Sequence, residues 1–502
     1  MSVTRMVAVD FGASGGKCFA GTLENGQFSM SEVHRFAHEG VTFFMEDSKG
    51  DTVERTYWDD TYLYSNILQG LQAYRRDVSD QLDSLAIDTW GADGQILTAD
   101  SNLQGKVYCY RDHRLNGMTD EVKARMDADR IYELTGIHFL SFNLSNQLLW
   151  LVMNRPEVLA DGAFFLPISS LFYYYLSGAR SVDSTWASIT QLMDANTGDW
   201  SDEILKALNI PASILPTIVA PGTEIGRLRP QLAEHLGLPQ AKMIASASHD
   251  TASAFAAAPI ANADEALIIS SGTWSLVGKL VDKPITTPEA MQAGISNEGG
   301  IGNVRLLKNV MGTWIVQELR RGWTAADGKE TSWVELAQLA SQSPAFAALI
   351  DPDDDRFFNP PNMEAAIAEF CKATGQAVPE NRAAYLRCVY ESLSFKYRYV
   401  NEQVCRVSGT KTKAIHVVGG GSQNKLLSQF TANAIGQPVY AGPTEATAVG
   451  NFMVQALGLG DIESMDEAQS LIKSAFPIVN YDPMDTDAWN KAYPRFQALC
   501  ER

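Results

Sequence analysis

Short apolar runs, each cut by a cluster of Gly, Ser, Thr or Asp, set the pattern of this chain. Residues 6–10 are apolar, 11–16 are a small-residue break, and 17–23 return, which predicts strand, turn, strand. Asn25-Gly26 then signals a type I′ hairpin turn into a third strand over 27–36. Residues 85–98, LAIDTWGADGQILT, repeat the theme of strand, polar break and strand. Residues 243–247 read as a buried strand that stops at Ser248-His249-Asp250-Thr251, with a helix starting over 252–258. Residues 267–270 form the next strand, and the turn over 270–275 sends it back through 276–278. Residues 415–418 run as a strand into Gly419-Gly420-Gly421, with Ser422 as the expected cap of a helix through Ala434. Helical periodicity marks 145–153, 201–208 (capped by Ser201), 313–321, 332–340 and 380–407, the last closed by Gly409.

Two of these units resemble each other. VAVDFGASGGKC (7–18) and LIISSGTWSLVG (267–278) are both an apolar strand, a small-residue turn and a returning strand, with Asp10 of the first corresponding to Ser270 of the second. A duplicated α/β chain with a nucleotide between its halves is the plan of the actin-like ATPases. The expected fold is therefore α/β and two-domain, of the actin-like (ribonuclease H-like) type, with the active site in the interdomain cleft. The expected domains are 1–258 and 259–502. The last helix is expected to dock back on the N-terminal domain.

Composition narrows the function. The 502 residues are 45% hydrophobic and 20% charged, an ordinary globular balance, and long enough for two cores. The formal charge of -19 argues against nucleic-acid or anionic-membrane partners, which need a basic face. A phosphate-bearing ligand would then need backbone amides, a few cations or Mg²⁺. The opening MSVTRMVAVD has no signal-peptide apolar core, and the run over 172–176 is too short to span a bilayer. Six scattered cysteines without a C-x-x-C pair fit reduced thiols in a cytoplasmic protein.

The breaks carry the candidate chemistry. Asp10, an acid at a strand end, can hold Mg²⁺ while Ala13, Ser14, Gly15 and Gly16 offer amides to phosphates. This is not a Walker loop, because Cys18 follows Lys17. Asp250 is either the N-cap of its helix or the general base that takes a hydroxyl proton during phosphoryl transfer, and the two roles are compatible. His249 beside it can tune that acid or bind sugar. The segment 88–93, DTWGAD, fits a sugar site, with Trp90 either a ring platform or core. Gly419-Gly420-Gly421 either leaves room for a nucleoside or is an ordinary helix-entry loop. His34 and His38 lack a third ligand for a metal, the acids over 351–355 read as a solvated loop, and no Gly-x-Ser-x-Gly elbow is present.

In order along the chain, VAVDFGASGGK, IDTWGAD, YRDHR, FNLSNQL, ASHDTASA, SSGTWSLVG, NEGG, LKNVMGTWIVQ, VVGGGSQNKLL and GPTEATAVGN resemble the FGGY carbohydrate kinases, most of all their rhamnulokinase branch. The resemblance implies transfer of phosphate from ATP to the 1-hydroxyl of L-rhamnulose, with another ketose such as L-fuculose, or a non-catalytic sugar and nucleotide sensor, as the rival readings. It implies Asp250 as proton acceptor, and Ala13, Ser14, Gly15, Gly16, Lys17, Thr273, Gln317, Gly420 and Gly421 as ATP contacts. Gly91, Asp93, His249, Asp250, Thr251 and Asn309 are the implied sugar contacts, and Asp10 the acid near the metal. The implied ligands are a ketose, ATP and Mg²⁺, bound by a cytoplasmic monomer or homodimer with no nucleic-acid or membrane partner. The chain departs from the branch pattern at Gly15, Lys17, Gly94 and His113.

Overall fold

The structure is a computed structural model that describes residues 3–46 and 50–502, so the first two residues of the start segment lie outside it. The chain divides into two compact units. The first comprises Met1–Ala257, Asp282–Arg305 and Thr447–Ala475; the second comprises Ala258–Val281, Leu306–Ala446 and Phe476–Arg502.

The first unit is built on a six-stranded sheet of β1 (Val3–Gly12), β2 (Gly15–Glu24), β3 (Gln27–Ala37), β4 (Ser84–Thr89), β5 (Glu224–Arg227) and β6 (Lys242–Ile244), in the order β5-β6-β4-β1-β2-β3. The hairpins β1–β2 and β2–β3 are antiparallel, while β4 lies parallel to β1 and β6 parallel to β4. Met6, Val7, Ala8 and Val9 are all fully buried, as a strand covered on both faces requires. Asn25 and Gly26 both have positive φ, 53° and 72°, the geometry of a type I′ turn.

The second unit repeats the plan with β7 (Ala266–Ser271), β8 (Trp274–Val281), β9 (Val304–Met311, in this unit from Leu306 onward), β10 (Ala414–Val418), β11 (Val439–Ala441) and β12 (Val479–Tyr481), ordered β9-β8-β7-β10-β11-β12. Here too the central strand has an antiparallel neighbour on one side (β8) and a parallel one on the other (β10). Residues 6–12 and 266–272 share one burial sequence, four buried positions and then half-buried, buried and half-buried. Asp10 and Ser270 fall on the same half-buried position. Their parallel partners differ, Asp88 opposite Asp10 and Val418 opposite Ser270.

The helix Ala446–Leu459 shows why residues 447–475 pack in the first unit. Its buried Gln455 donates to the Val7 carbonyl at 3.0 Å and accepts from Ser84 Oγ at 2.6 Å. Phe452 fills the space left by Gly21, where a Cβ would come within 2.6 Å of the ring. The terminal helix Thr486–Cys500 belongs to the second unit, where Trp489 packs on Phe346, Phe395 and Phe430.

Local details correct two readings. Asn424, not Ser422, caps the helix Lys425–Ile435, because a 3-10 turn over Gly420–Gln423 intervenes. The acids over 351–355 are not simply solvated: Asp351 and Asp353 pair with the buried Lys396 at 2.7 and 3.0 Å. All six cysteines are free thiols, and no helix among the described residues is long and apolar enough to cross a membrane.

Candidate active site

Three acids of the first unit stand at the carboxyl ends of successive parallel segments. Asp10 on β1 pairs in register with Asp88 on β4, and Thr89 next to Asp88 bridges to His249, which precedes Asp250. Parallel strands in register bring their last residues to one edge of a sheet, where open α/β folds place ligands. Asp88 is completely buried, and Asn451 Nδ2 donates to its Oδ2 at 2.6 Å. Burial, then the charge of Asp10, pushes the Asp88 carboxyl well above its ordinary range. The same two causes, in the same order, lift Asp250 to about 7.

Asp250 is the first residue of the helix Asp250–Ala256, and His249 occupies the N-cap position. The capping reading of Asp250 is therefore replaced. Its Oδ1 instead accepts from the amide of Thr251 at 2.6 Å and from Thr251 Oγ1 at 3.2 Å. The turn before it is pinned by buried Asp183, which accepts from Ser248 Oγ and Thr185 Oγ1, while the His249 amide donates to Thr185 Oγ1 at 3.4 Å.

His249 lies between charges. Arg305 Nη2 donates to its Nδ1 at 3.2 Å, Glu298 Oε2 is 3.5 Å from the same nitrogen, and Nε2 is 3.4 Å from Asp250 Oδ1. Burial, reinforced by the Arg305 charge, holds the imidazole well below its ordinary pKa, so it is neutral. Gly91 makes room for the ring, since a Cβ there would sit 2.6 Å from His249 Nε2.

The expected phosphate turn is a tight hairpin with Ala13 and Ser14 at its tip. Lys17 is the cross-strand partner of Asp10, and Gly15 that of Gly12. Gly16 is buried, and its missing Cβ makes space for Phe36, which would otherwise lie 2.2 Å away. His38 braces the turn: its Nε2 bonds the Gly12 carbonyl at 2.8 Å, and its amide donates to the Ser14 carbonyl at 3.3 Å.

Within the DTWGAD segment, Trp90 is 4% exposed and forms part of a buried aromatic cluster with Trp58 and His38, so it is core rather than an open platform. Asp93 Oδ2 accepts from Trp58 Nε1 (2.7 Å), Trp90 Nε1 (3.1 Å) and the Tyr110 amide (3.1 Å), while its buried Oδ1 has no hydrogen-bond partner. Burial lifts Asp93 to about 6. Two of the four departures from the branch pattern, Gly94 and His113, fall outside the phosphate turn. Gly94 packs under Phe165, 2.2 Å from where its Cβ would be, and His113 is 66% exposed and 3.9 Å from Glu54.

The remaining predicted residues lie in the second unit. Gln317 Nε2 donates to Thr273 Oγ1 and Thr313 Oγ1, each at 3.3 Å, and Thr313 Oγ1 donates to the Gly272 carbonyl at 2.8 Å. Gly421 abuts this turn, since a Cβ would fall 2.0 Å from Ser271 Oγ, whereas nothing lies within 4 Å of a Cβ on Gly420. Gly419 adopts φ 82°, which admits the sharp exit from β10. Asn309 is on β9, its Oδ1 buried without a hydrogen-bond partner.

Asn451, Arg305, Glu298 and His38 were not assigned to the site by sequence reasoning, and Asp88 entered it only as part of the sugar segment 88–93. All but His38 and Arg305 lie inside the quoted motifs, and Arg305 follows NEGG closely.

Residues 6–256 match the N-terminal domain of the FGGY family of carbohydrate kinases, and residues 267–459 its C-terminal domain. A rhamnulokinase of Bacteroides thetaiotaomicron is 39% identical over 495 residues, covering 98% of each chain. One from Pectobacterium carotovorum is 37% identical, covering 100% of this chain and 97% of that one. Among solved structures, a gluconate kinase from Lactobacillus acidophilus superposes with a TM-score of 0.81 at 18% identity, covering 100% of this chain and 98% of the other. A xylulose kinase from the same organism gives 0.81 at 17%, covering 99% and 98%. With the duplicated sheets, these likenesses identify the two-domain actin-like ATPase fold.

Proposed function

The chain belongs to the FGGY family of carbohydrate kinases, and from that premise we propose that it transfers the γ-phosphoryl group of ATP to the 1-hydroxyl of L-rhamnulose. The choice of ketose is supported by end-to-end similarity to proteins named rhamnulokinase. The observation that carries the chemistry is Asp250, a half-buried carboxyl lifted to about 7 beside a neutral His249. A base poised near working pH is half-ionised there and still strong enough to take a hydroxyl proton.

In this reading Asp250 accepts the proton of the sugar hydroxyl as the new O–P bond forms and the bond from Pγ to the β,γ-bridging oxygen breaks, releasing ADP. His249 Nε2–H and Thr251 orient the carboxylate and the sugar. The amides of the turn over 12–17 and Lys17 face phosphate oxygens, and Thr273, Gln317, Gly420 and Gly421 hold the nucleotide. Preorganised donors carry most of the acceleration, and the base adds roughly 10²–10⁴-fold.

The acids suit a hard cation. Asp88 Oδ1 is buried without a hydrogen-bond partner, in register beside Asp10. No group of three His, Cys, Asp or Glu able to hold a metal occurs among the described residues. Asp10 and Asp88 would therefore hold Mg²⁺ together with water and phosphate oxygens, the usual Mg²⁺ arrangement. When bound, Mg²⁺ neutralises phosphate charge. We place the enzyme in the cytoplasm, as a monomer or homodimer.

The test is sugar-dependent ADP release, by coupled assay, over a panel of ketoses, pentuloses and glycerol. L-Rhamnulose should give the highest kcat/KM. A different ketose ahead by more than about tenfold, roughly 1.4 kcal/mol of transition-state binding, overturns the sugar assignment. Binding of sugar and ATP without any turnover overturns the kinase in favour of a sensor.

A further inference from the structure

We propose that Arg305 is a positioning residue of the phosphoryl transfer, which fixes His249 as its Nε2–H tautomer and so presents that N–H to the Asp250 carboxylate. The inference rests on the kinase reading above and deepens it.

A guanidinium has donors only, so the 3.2 Å contact from Arg305 Nη2 requires a lone pair on His249 Nδ1. In a neutral imidazole the proton is then on Nε2, the nitrogen 3.4 Å from Asp250 Oδ1. The competitor is Glu298. Its Oε2, 3.5 Å from Nδ1, would draw the proton to that nitrogen and leave the Nε2 lone pair facing the carboxylate. Arg305 opposes this by donating to Nδ1 and by holding its positive charge against the same Glu298 oxygen, with Nη1 3.0 Å away though not hydrogen-bonded to it. The guanidinium cannot drift. It is 0% exposed, its Nε donates to the Gly299 carbonyl at 2.8 Å, and the Gly299 amide donates to Ser188 Oγ at 2.7 Å. All these groups belong to the first unit. A buried ion pair with no further task would need neither the third contact, to an imidazole nitrogen, nor the glycine at 91 that admits the ring.

The experiment uses full-length enzyme labelled with ¹⁵N-histidine, His249 being assigned by its loss in His249→Asn. In wild type, Nδ1 should show the shift of an unprotonated nitrogen and Nε2 that of a protonated one. Arg305→Met combined with Glu298→Gln leaves no unpaired buried charge. It should mix or reverse the tautomers and lower kcat by about ten- to a hundredfold, the effect usual for outer partners of a functional imidazole, with ATP Kd unchanged. Arg305→Gln combined with Glu298→Gln restores a neutral donor and should recover part of both readouts, and it serves as the folded comparison should the methionine variant be unstable. In the His249→Asn background the Arg305→Met and Glu298→Gln pair should cost no more than about twofold further. An unchanged tautomer in the methionine variant, or an equal kcat loss without His249, would show a merely structural ion pair and overturn the proposal. Wild type lacking sugar-dependent ADP release would instead sink the kinase reading, and with it the catalytic half of the proposal, while the tautomer measurement stood by itself.

Discussion

Asp10 and Asp88 face each other in register across the parallel strands β1 and β4, with Asp88 fully buried and held by Asn451 at 2.6 Å. The corresponding positions of the second sheet carry Ser270 and Val418. The duplicated plan is thus acidic in one copy only. Two acids so placed cost stability, a cost that the proposed Mg²⁺ would offset.

That cost is measurable. Burial and the Asp10 charge raise the Asp88 pKa above its ordinary 3.8, so the folded carboxyl binds its proton more tightly than the unfolded one. Its contribution is favourable at low pH and is lost as pH rises from about 4 through the raised folded value. We expect Asp88→Asn to raise Tm at pH 8, by about 2–4 °C for each kcal/mol relieved, and to leave it unchanged near pH 4. Calorimetric scans at the two pH values check this, and Mg²⁺-dependent turnover should be lost in the same variant. Equal Tm at pH 8 would mean that the pair carries no strain.

The pH dependence of turnover follows from the same cluster. Asp250 must be ionised to act as a base, and burial with the Asp10 charge lifts it to about 7. We expect kcat/KM to climb with unit slope below pH about 7 and to level above it. Asp10→Asn removes the negative neighbour, so the Asp250 titration, followed by its carboxyl ¹³C shift, should move to lower pH.

Much of this was legible in the sequence. Buried strands announce themselves by unbroken apolar runs, so β1, β4 and β7 and the turns that follow them were found, and Asp10 and Asp250 with them. The correspondence of Asp10 with Ser270, drawn from two twelve-residue strings, recurs in the shared burial sequence of the two strands. Partners separated by long stretches of chain were not legible. Asn451 reaches Asp88, and Arg305 reaches His249, only because strand register and helix packing bring them there. Capping was misread at Asp250 and Ser422 because a one-residue shift of a helix start cannot be seen in composition.

Two glycines should separate the sugar from the nucleotide. A Cβ on Gly91 would lie 2.6 Å from both His249 Nε2 and Ile189 Cδ1. A Cβ on Gly421 would lie 2.0 Å from Ser271 Oγ and 2.9 Å from the Ser271 carbonyl. Overpacking of this kind costs about 1–3 kcal/mol, enough for roughly tenfold or more in affinity. By calorimetry Gly91→Ala should weaken ketose binding and spare ATP, and Gly421→Ala should do the reverse. Loss of both ligands in either variant would point to a folding defect.

The most direct expectation concerns the base. Asp250→Asn keeps the volume of the side chain and an oxygen for the Thr251 amide, now bound at 2.6 Å, so the helix start should persist. It removes the proposed base. Loss of a positioned base costs on the order of 10²–10⁴ in rate, while the residues expected to hold ATP are untouched. Asp250→Asn should therefore bind ATP within a few-fold of wild type, yet phosphorylate ketose at a rate lower by about that factor. Because the hydroxyl proton must leave in any mechanism, near-wild-type turnover in Asp250→Asn would move the base to another group, with Asp10 and Asp88 next in line.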